Sequence, residues 1–154
     1  MSRTELLEKI DVLLGGQAAE KLIFGEITTG AQNDLDRATD IARSMVTQYG
    51  MTETLGHVTY RSAPNPFLQV PGYPSSSDIS EESARLIDEE VRAIMNRRME
   101  EALLTLKHHE KLLHRVAEAL LDKETLEREE FLALLEAAEP KVSAVENRPT
   151  ELQT

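Results

Sequence analysis

The chain has 154 residues, of which 40% are hydrophobic and 29% charged, a composition typical of one soluble helical domain. Acidic residues outnumber basic ones by 28 to 17, and the net charge of −11 disfavours a nucleic-acid partner, because it repels phosphates. The absence of cysteine excludes disulfides, thiolate metal sites and cysteine nucleophiles.

The first predicted element is a helix that begins near Arg3. Ser2 and Glu5 have the spacing of a capping box, in which each side chain accepts a hydrogen bond from the other residue's backbone N–H group. Apolar residues then recur at the three- and four-residue spacing of an amphipathic helix. They are Leu6, Ile10, Leu13, Leu14, Ala18 and Leu22.

A glycine pair, Gly15-Gly16, lies inside this pattern without interrupting it. Two glycines weaken a helix, so their presence indicates either a break or a close approach by another element. Since alanines follow, we expect close packing. The next segment, LIFGEITTG (residues 22–30), is rich in β-branched and aromatic residues. It predicts that the helix is replaced by turns at Gly25 and Gly30.

A second helix is predicted from about Gln32 to Tyr49, with Gly50 as its C-terminal stop. Its inward stripe is Ala38, Ile41, Met45 and Tyr49. Asp34 lies on the same line, one turn earlier, and an inward carboxylate is costly unless it is hydrogen-bonded, paired or bound to a metal. The simpler interpretation is a first-turn acid that faces free N–H groups and the helix dipole. The pattern alone favours that interpretation.

Short strands are predicted at LGHVTY (residues 55–60) and PFLQV (residues 66–70). Residues 61–78 contain four prolines and predict an exposed loop. We therefore expect a small β excursion between helices.

A long third helix is predicted after Ser80, which has the chemistry of an N-cap. Its apolar stripe is Ala84, Ile87, Val91, Ile94, Met95, Ala102 and Leu106. Burial of this stripe within its own domain is a simpler interpretation than an oligomer interface. Further helices are predicted around residues 112–120 and after Thr125, the last with Phe131, Leu134 and Leu135. The fold class is mainly α, a helical bundle of about five helices over residues 1–139, and residues 140–154 predict a disordered tail.

The segment HHEKLLH contains His109, Glu110 and His114 in the pattern HExxxH. A zinc helix requires HExxH, because residues four apart share one face. Five residues turn the second histidine by roughly 140°. A solvated helix face is the favoured interpretation of this segment, and His57 is a lone structural or exposed histidine. Serine-nucleophile elbows and phosphate-binding glycine loops are also absent from the sequence.

Residues 13–56 carry short motifs in a fixed order. They are Gly15-Gly16, Ala19-Glu20, Phe24-Gly25, Thr29-Gly30-Ala31, Asn33-Asp34, Met45-Val46 and Gly50-Met51. In this order the motifs closely resemble the peptidase domain of the FtsH-type AAA zinc proteases, which are ATP-dependent. The downstream segments FLQVPG, SEESARLIDEEV and LLDKETLEREEF are also similar to the C-terminal helices of that family, so the resemblance covers residues 4–136.

The resemblance implies a role for the inward aspartate. It makes Asp34 the third zinc ligand, at roughly 2.0–2.2 Å from the ion, beside two histidines of an upstream HExxH helix. The glutamate of HExxH would be the general base for peptide hydrolysis. Glu20, from the Ala-Glu pair, is a candidate partner for a ligating histidine. Because this sequence contains no HExxH, no catalytic residue is expected within it. We expect the chain alone to be inactive and to bind zinc weakly.

The resemblance also implies a parent protein that hydrolyses ATP in another domain, assembles as a homo-hexamer and degrades protein substrates. The parent is expected to be membrane-anchored with the protease domain facing the cytoplasm. No apolar run here approaches the roughly 20 residues that span a bilayer, so we expect this chain to be soluble and free of membrane contact. An alternative is a non-catalytic binding or oligomerisation module derived from the protease, associating through the third helix.

Overall fold

The computed structural model describes residues 1–60 and 79–138. These residues form five α-helices and contain no strand, so the prediction of a mainly α fold is confirmed. The helices are α1 (Arg3–Phe24), α2 (Gln32–Thr47), α3 (Glu81–His108), α4 (Glu110–Lys123) and α5 (Arg128–Ala138). A short 3₁₀ turn (Thr29–Ala31) precedes α2. Helices α1–α3 form one compact unit, and α4 and α5 belong to a second.

Helix α1 begins as its sequence predicts. The Glu5 N–H donates to the Ser2 hydroxyl at 3.2 Å, and the Ser2 N–H donates to Glu5 at 2.5 Å. The capping box therefore satisfies two of the N–H groups that a helix start leaves unpaired. The buried face repeats every four residues, and its first three members belong to the core shared with α2 and α3. It consists of Leu6, Ile10, Leu14 and Ala18.

Two expectations for α1 are wrong. The helix does not give way before residues 22–24 but includes them, because their side chains lie on its exposed or half-buried sides. It ends instead at Gly25, whose φ of 75° is left-handed backbone that glycine adopts without strain. The expected close packing at Gly15 and Gly16 is also not found. A Cβ at either position would meet no described atom within 4 Å, so none of the described elements packs closely against this side of α1.

Helix α2 supplies the centre of the core. Its residues Ala38, Ala42, Met45 and Val46 have no exposed surface. Tyr49, expected on the inward stripe, is instead 55% exposed, because α2 ends two residues before it at Thr47. Gly50 follows with a φ of 58°, so the predicted glycine stop is confirmed within three residues of the helix end.

The predicted strand over residues 55–60 is not formed. The segment is a loop folded back on α2, where the Tyr60 N–H donates to the Thr47 carbonyl at 2.7 Å. Leu55 anchors it in the core and is 7% exposed. A strand needs a neighbouring strand to satisfy its backbone groups, and the described residues offer none. The second strand candidate, the 61–78 loop and the 140–154 tail lie outside the described residues.

Helix α3 closes the first unit. The Ser83 N–H donates to the Ser80 hydroxyl at 3.1 Å, which confirms the predicted cap. Ile87 and Val91 are buried in the core shared with α1 and α2, and Ile94 and Met95 pack against it. Four members of the predicted α3 stripe are therefore covered within their own unit, whereas Ala84, also predicted on the stripe, is exposed.

A half-buried ion pair links α1 to α3. The Arg98 guanidinium donates two hydrogen bonds of 2.6 Å to the two carboxylate oxygens of Asp11, and the two side chains are 16% and 29% exposed. These hydrogen bonds raise the pKa of Arg98 above its usual value. Two parallel bonds fix both distance and orientation, which a point charge cannot do.

Arg98→Lys should lower the free energy of unfolding by about 1 to 2 kcal/mol, because lysine keeps the charge but loses the paired geometry. Arg97→Lys, at the exposed neighbouring position, should change it by no more than about 0.5 kcal/mol. Urea denaturation of both variants measures the difference. If Arg98→Lys and Arg97→Lys had the same free energy of unfolding, the Arg98–Asp11 pair would contribute to stability through charge alone.

The second unit is a pair of short helices. Helix α4 ends where Glu124 adopts a left-handed φ of 63° and donates its N–H to the Leu120 carbonyl at 2.8 Å. Lys123 then forms an ion pair with Glu130 of α5. The predicted fourth and fifth helices are thereby confirmed. Within residues 1–60 and 79–138, no helix combines the length and apolarity needed to cross a bilayer.

Candidate metal-binding site

Asp34 lies in the first turn of α2. It is half-buried and stands one turn before Ala38, which has no exposed surface. No described residue donates a hydrogen bond to its carboxylate or forms an ion pair with it. The first-turn position is favourable for a negative charge, as the simpler sequence interpretation holds. The carboxylate nevertheless caps no N–H group of the described residues, so among these residues its oxygens are open to a ligand.

The segment that leads into α2 is held by Glu20 of α1. One Glu20 carboxylate oxygen accepts the Thr28 N–H at 3.0 Å, and the other accepts the Thr28 hydroxyl at 2.9 Å. The Thr28 hydroxyl in turn accepts the Gly30 N–H at 3.2 Å. A single carboxylate therefore organises the turn between α1 and α2. Thr28 is a residue that the sequence interpretation missed, since nothing in the local pattern pairs positions 20 and 28.

The Thr28 backbone N–H and hydroxyl, both donating to the Glu20 carboxylate, hold its pKa below the ordinary value of 4.5. A carboxyl group with a depressed folded-state pKa stabilises the folded state above its unfolded-state pKa. That contribution disappears as the pH falls through the folded-state pKa. The Glu20–Thr28 contact should therefore be intact at neutral pH and lost only in the acid range.

We expect the Thr28 amide resonance to titrate with a midpoint below 4.5, the ordinary value for Glu20. The measurement is a two-dimensional NMR pH titration of the 154-residue chain. Glu20→Gln should abolish this titration, whereas Glu26→Gln, in the same turn, should leave it unchanged. A midpoint at or above the ordinary value would contradict the contact.

Whether zinc could bind at Asp34 depends on which other ligands lie near it. A catalytic zinc takes three protein ligands and leaves one position open. The described residues bring no three histidine, aspartate or glutamate side chains together in a suitable group. Asp34 fits as one ligand, because its carboxylate is a suitable donor that is half-buried and makes no hydrogen bond or ion pair with a described residue. The remaining ligands must come from elsewhere if zinc binds.

The histidines of the HExxxH segment are exposed. His109 stands at the N-cap of α4, and His114 lies 3.7 Å from Glu110 one turn earlier in an ion pair that requires a protonated histidine. His57 is exposed in the loop after α2. These exposed positions fit the interpretation of a solvated helix face.

The comparisons agree with the resemblance carried by the motifs. The sequence model of peptidase family M41 matches residues 1–134, and the chain belongs to this family. It is 44% identical over 139 residues to an ATP-dependent zinc metalloprotease FtsH of Ralstonia pickettii, covering 89% of this chain and 20% of that protein. An FtsH of Lancefieldella parvula is 49% identical over 135 residues, covering 88% and 20%. The chain thus spans about a fifth of the length of these relatives.

Proposed function

We propose that this chain is the C-terminal part of the peptidase domain of an ATP-dependent zinc metalloendopeptidase, and that Asp34 is one of its zinc ligands. The observation that carries the proposal is the half-buried carboxylate at the head of α2, which no described residue engages. Membership of peptidase family M41 supports it, as do relatives that are named zinc metalloproteases.

The position of Asp34 suits a metal ligand in two ways. Zinc binds a carboxylate as a negatively charged ligand, and the first turn of a helix is a favourable place for a negative charge. The buried Ala38 one turn later packs this part of α2 against the core and so fixes the ligand's position. Bound zinc would supply an activated water and polarise the scissile carbonyl. The two histidines and the glutamate base of HExxH would come from residues outside this sequence, so the chain alone is inactive.

The remaining properties of the proposed parent follow from the family resemblance. Its ATPase domain would unfold protein substrates, and its subunits would form a homo-hexamer anchored in a membrane, with the protease domain facing the cytoplasm. Glu20 would either contact a ligating histidine or act within the turn that it organises.

The test starts from the gene, read in frame upstream of the Met1 codon, and from the complete natural polypeptide that contains this sequence. An upstream HExxH and about one tightly bound zinc per polypeptide, measured by elemental analysis, are expected. A stop codon directly upstream, with no zinc bound, would overturn the proposal and leave the non-catalytic module as the function.

A further inference from the structure

The turn between α1 and α2 is built around one side chain contact. Glu20 accepts two hydrogen bonds from Thr28, and Thr28 accepts one from Gly30, at distances of 2.9 to 3.2 Å. This contact joins the last part of α1 to the 3₁₀ turn. A Cβ at Gly30 would lie 3.4 Å from the Thr28 hydroxyl and 3.9 Å from Glu20, so the three residues are in close contact.

The head of α2 depends on this turn because it lacks a cap of its own. Its N-cap residue, Ala31, has no side chain that could bond to the first N–H groups. The Gln32 N–H instead donates to the Thr29 carbonyl of the 3₁₀ turn. Thr28 therefore caps the combined segment that contains Asp34, only six residues later.

We propose that Glu20 and Thr28 are positioning residues for the metal ligand, acting together by fixing the direction in which α2 begins and hence the place of the Asp34 carboxylate. This inference rests on the proposed function, since it assumes that Asp34 binds the metal. It differs from a direct contact between Glu20 and a ligating histidine, because it requires the Thr28 hydroxyl. Both Glu20 oxygens already accept a hydrogen bond from Thr28, which favours the indirect role.

Amide hydrogen exchange of the 154-residue chain tests the contact without metal. Glu20→Ala should raise the exchange rate of the Thr28 N–H roughly tenfold, and Thr28→Val should do the same for the Gly30 N–H. Thr28→Ser retains the hydroxyl and should restore protection of Gly30. Glu26→Ala removes a charge from the same turn and serves as the control, with unchanged rates expected.

Zinc affinity of the complete natural protein, measured by competition with a chelator, tests the positioning role. Glu20→Ala and Thr28→Val should each raise the dissociation constant roughly 10- to 100-fold, as partners of ligating residues do. The double variant should bind zinc no more weakly than the weaker-binding of the two single variants, because both changes remove the same Glu20–Thr28 contact. Thr28→Ser should bind zinc like the wild type. Circular dichroism confirms that each variant is folded.

Each outcome assigns a cause. Wild-type zinc affinity in folded Thr28→Val, together with loss in Glu20→Ala, would overturn positioning through Thr28 and indicate a direct role for Glu20. Wild-type affinity in both variants would overturn the inference while leaving the proposed function intact, provided that Asp34→Ala still loses zinc. Unchanged zinc affinity in Asp34→Ala would overturn both.

Discussion

Asp34→Ala in the complete natural protein should weaken zinc binding by more than the roughly 10- to 100-fold that is typical for partners of ligands, because it removes a ligand itself. Peptide hydrolysis should fall with zinc occupancy. The fold should persist, since the Asp34 carboxylate is half-buried and makes no hydrogen bond to a described residue. We therefore expect loss of metal and activity with little change in the thermal transition.

The matched control is Asp36→Ala, two residues further along the same helix. Asp36 is exposed and carries the same charge, so its removal changes the net charge of α2 equally but removes no proposed ligand. Asp36→Ala should retain zinc and activity. If the two variants lost zinc to the same extent, the effect would arise from charge at the start of α2. If Asp34→Ala retained zinc and activity, the ligand assignment would be wrong.

The sequence pattern of α2 predicts the position of Asp34 but not its role. Periodicity identifies Ala38 and Met45 as core residues and places Asp34 on their line, because helical spacing is a local property. The same pattern favours a dipole role for Asp34, since a first-turn acid is common whether or not it binds a metal. The metal hypothesis rests on the resemblance carried by the order of motifs over residues 13–56, which helical periodicity does not predict.

Two of the missed features depend on contacts between residues that are not neighbours in the sequence. Glu20 and Thr28 meet because α1 continues to Phe24 before the chain turns back, and that end could not be placed by propensity alone. The β-branched residues around Val58 favour a strand, but no described strand pairs with them. Because residues 55–60 have strand propensity but no neighbouring described strand, they form a loop that packs on α2.

The prediction of close packing at Gly15 and Gly16 failed because it, too, depends on tertiary structure. Apolar and small residues on a helix show that a face can be buried, whereas the identity of the covering element is a tertiary property. Helix α1 is apolar on more than one side, and only the side with Ile10 and Leu14 is covered by described residues. Val12, near the glycine pair, is 80% exposed. The amino-acid composition of α1 does not distinguish the buried side from the exposed side.

This contrast within α1 gives the largest expected effect on stability. Ile10 has no exposed surface and lies in the core formed by α1, α2 and α3. Ile10→Ala should lower the free energy of unfolding of the first unit by about 2 to 5 kcal/mol, because it removes buried methyl groups and leaves a cavity. For a domain stabilised by roughly 5 to 15 kcal/mol, this is a large fraction of the total.

Val12→Ala removes apolar atoms from the same helix, two residues away, and is the control for helix propensity and composition. Because Val12 is 80% exposed in the chain, its replacement should change the free energy of unfolding by no more than about 0.5 kcal/mol. Urea denaturation of the 154-residue chain, followed by circular dichroism, measures both variants. A cost for Val12→Ala that matched the cost for Ile10→Ala would show that the second side of α1 is also buried in solution. In that case the open face at Gly15 and Gly16 would be covered by a contact of the chain with itself or with a second copy.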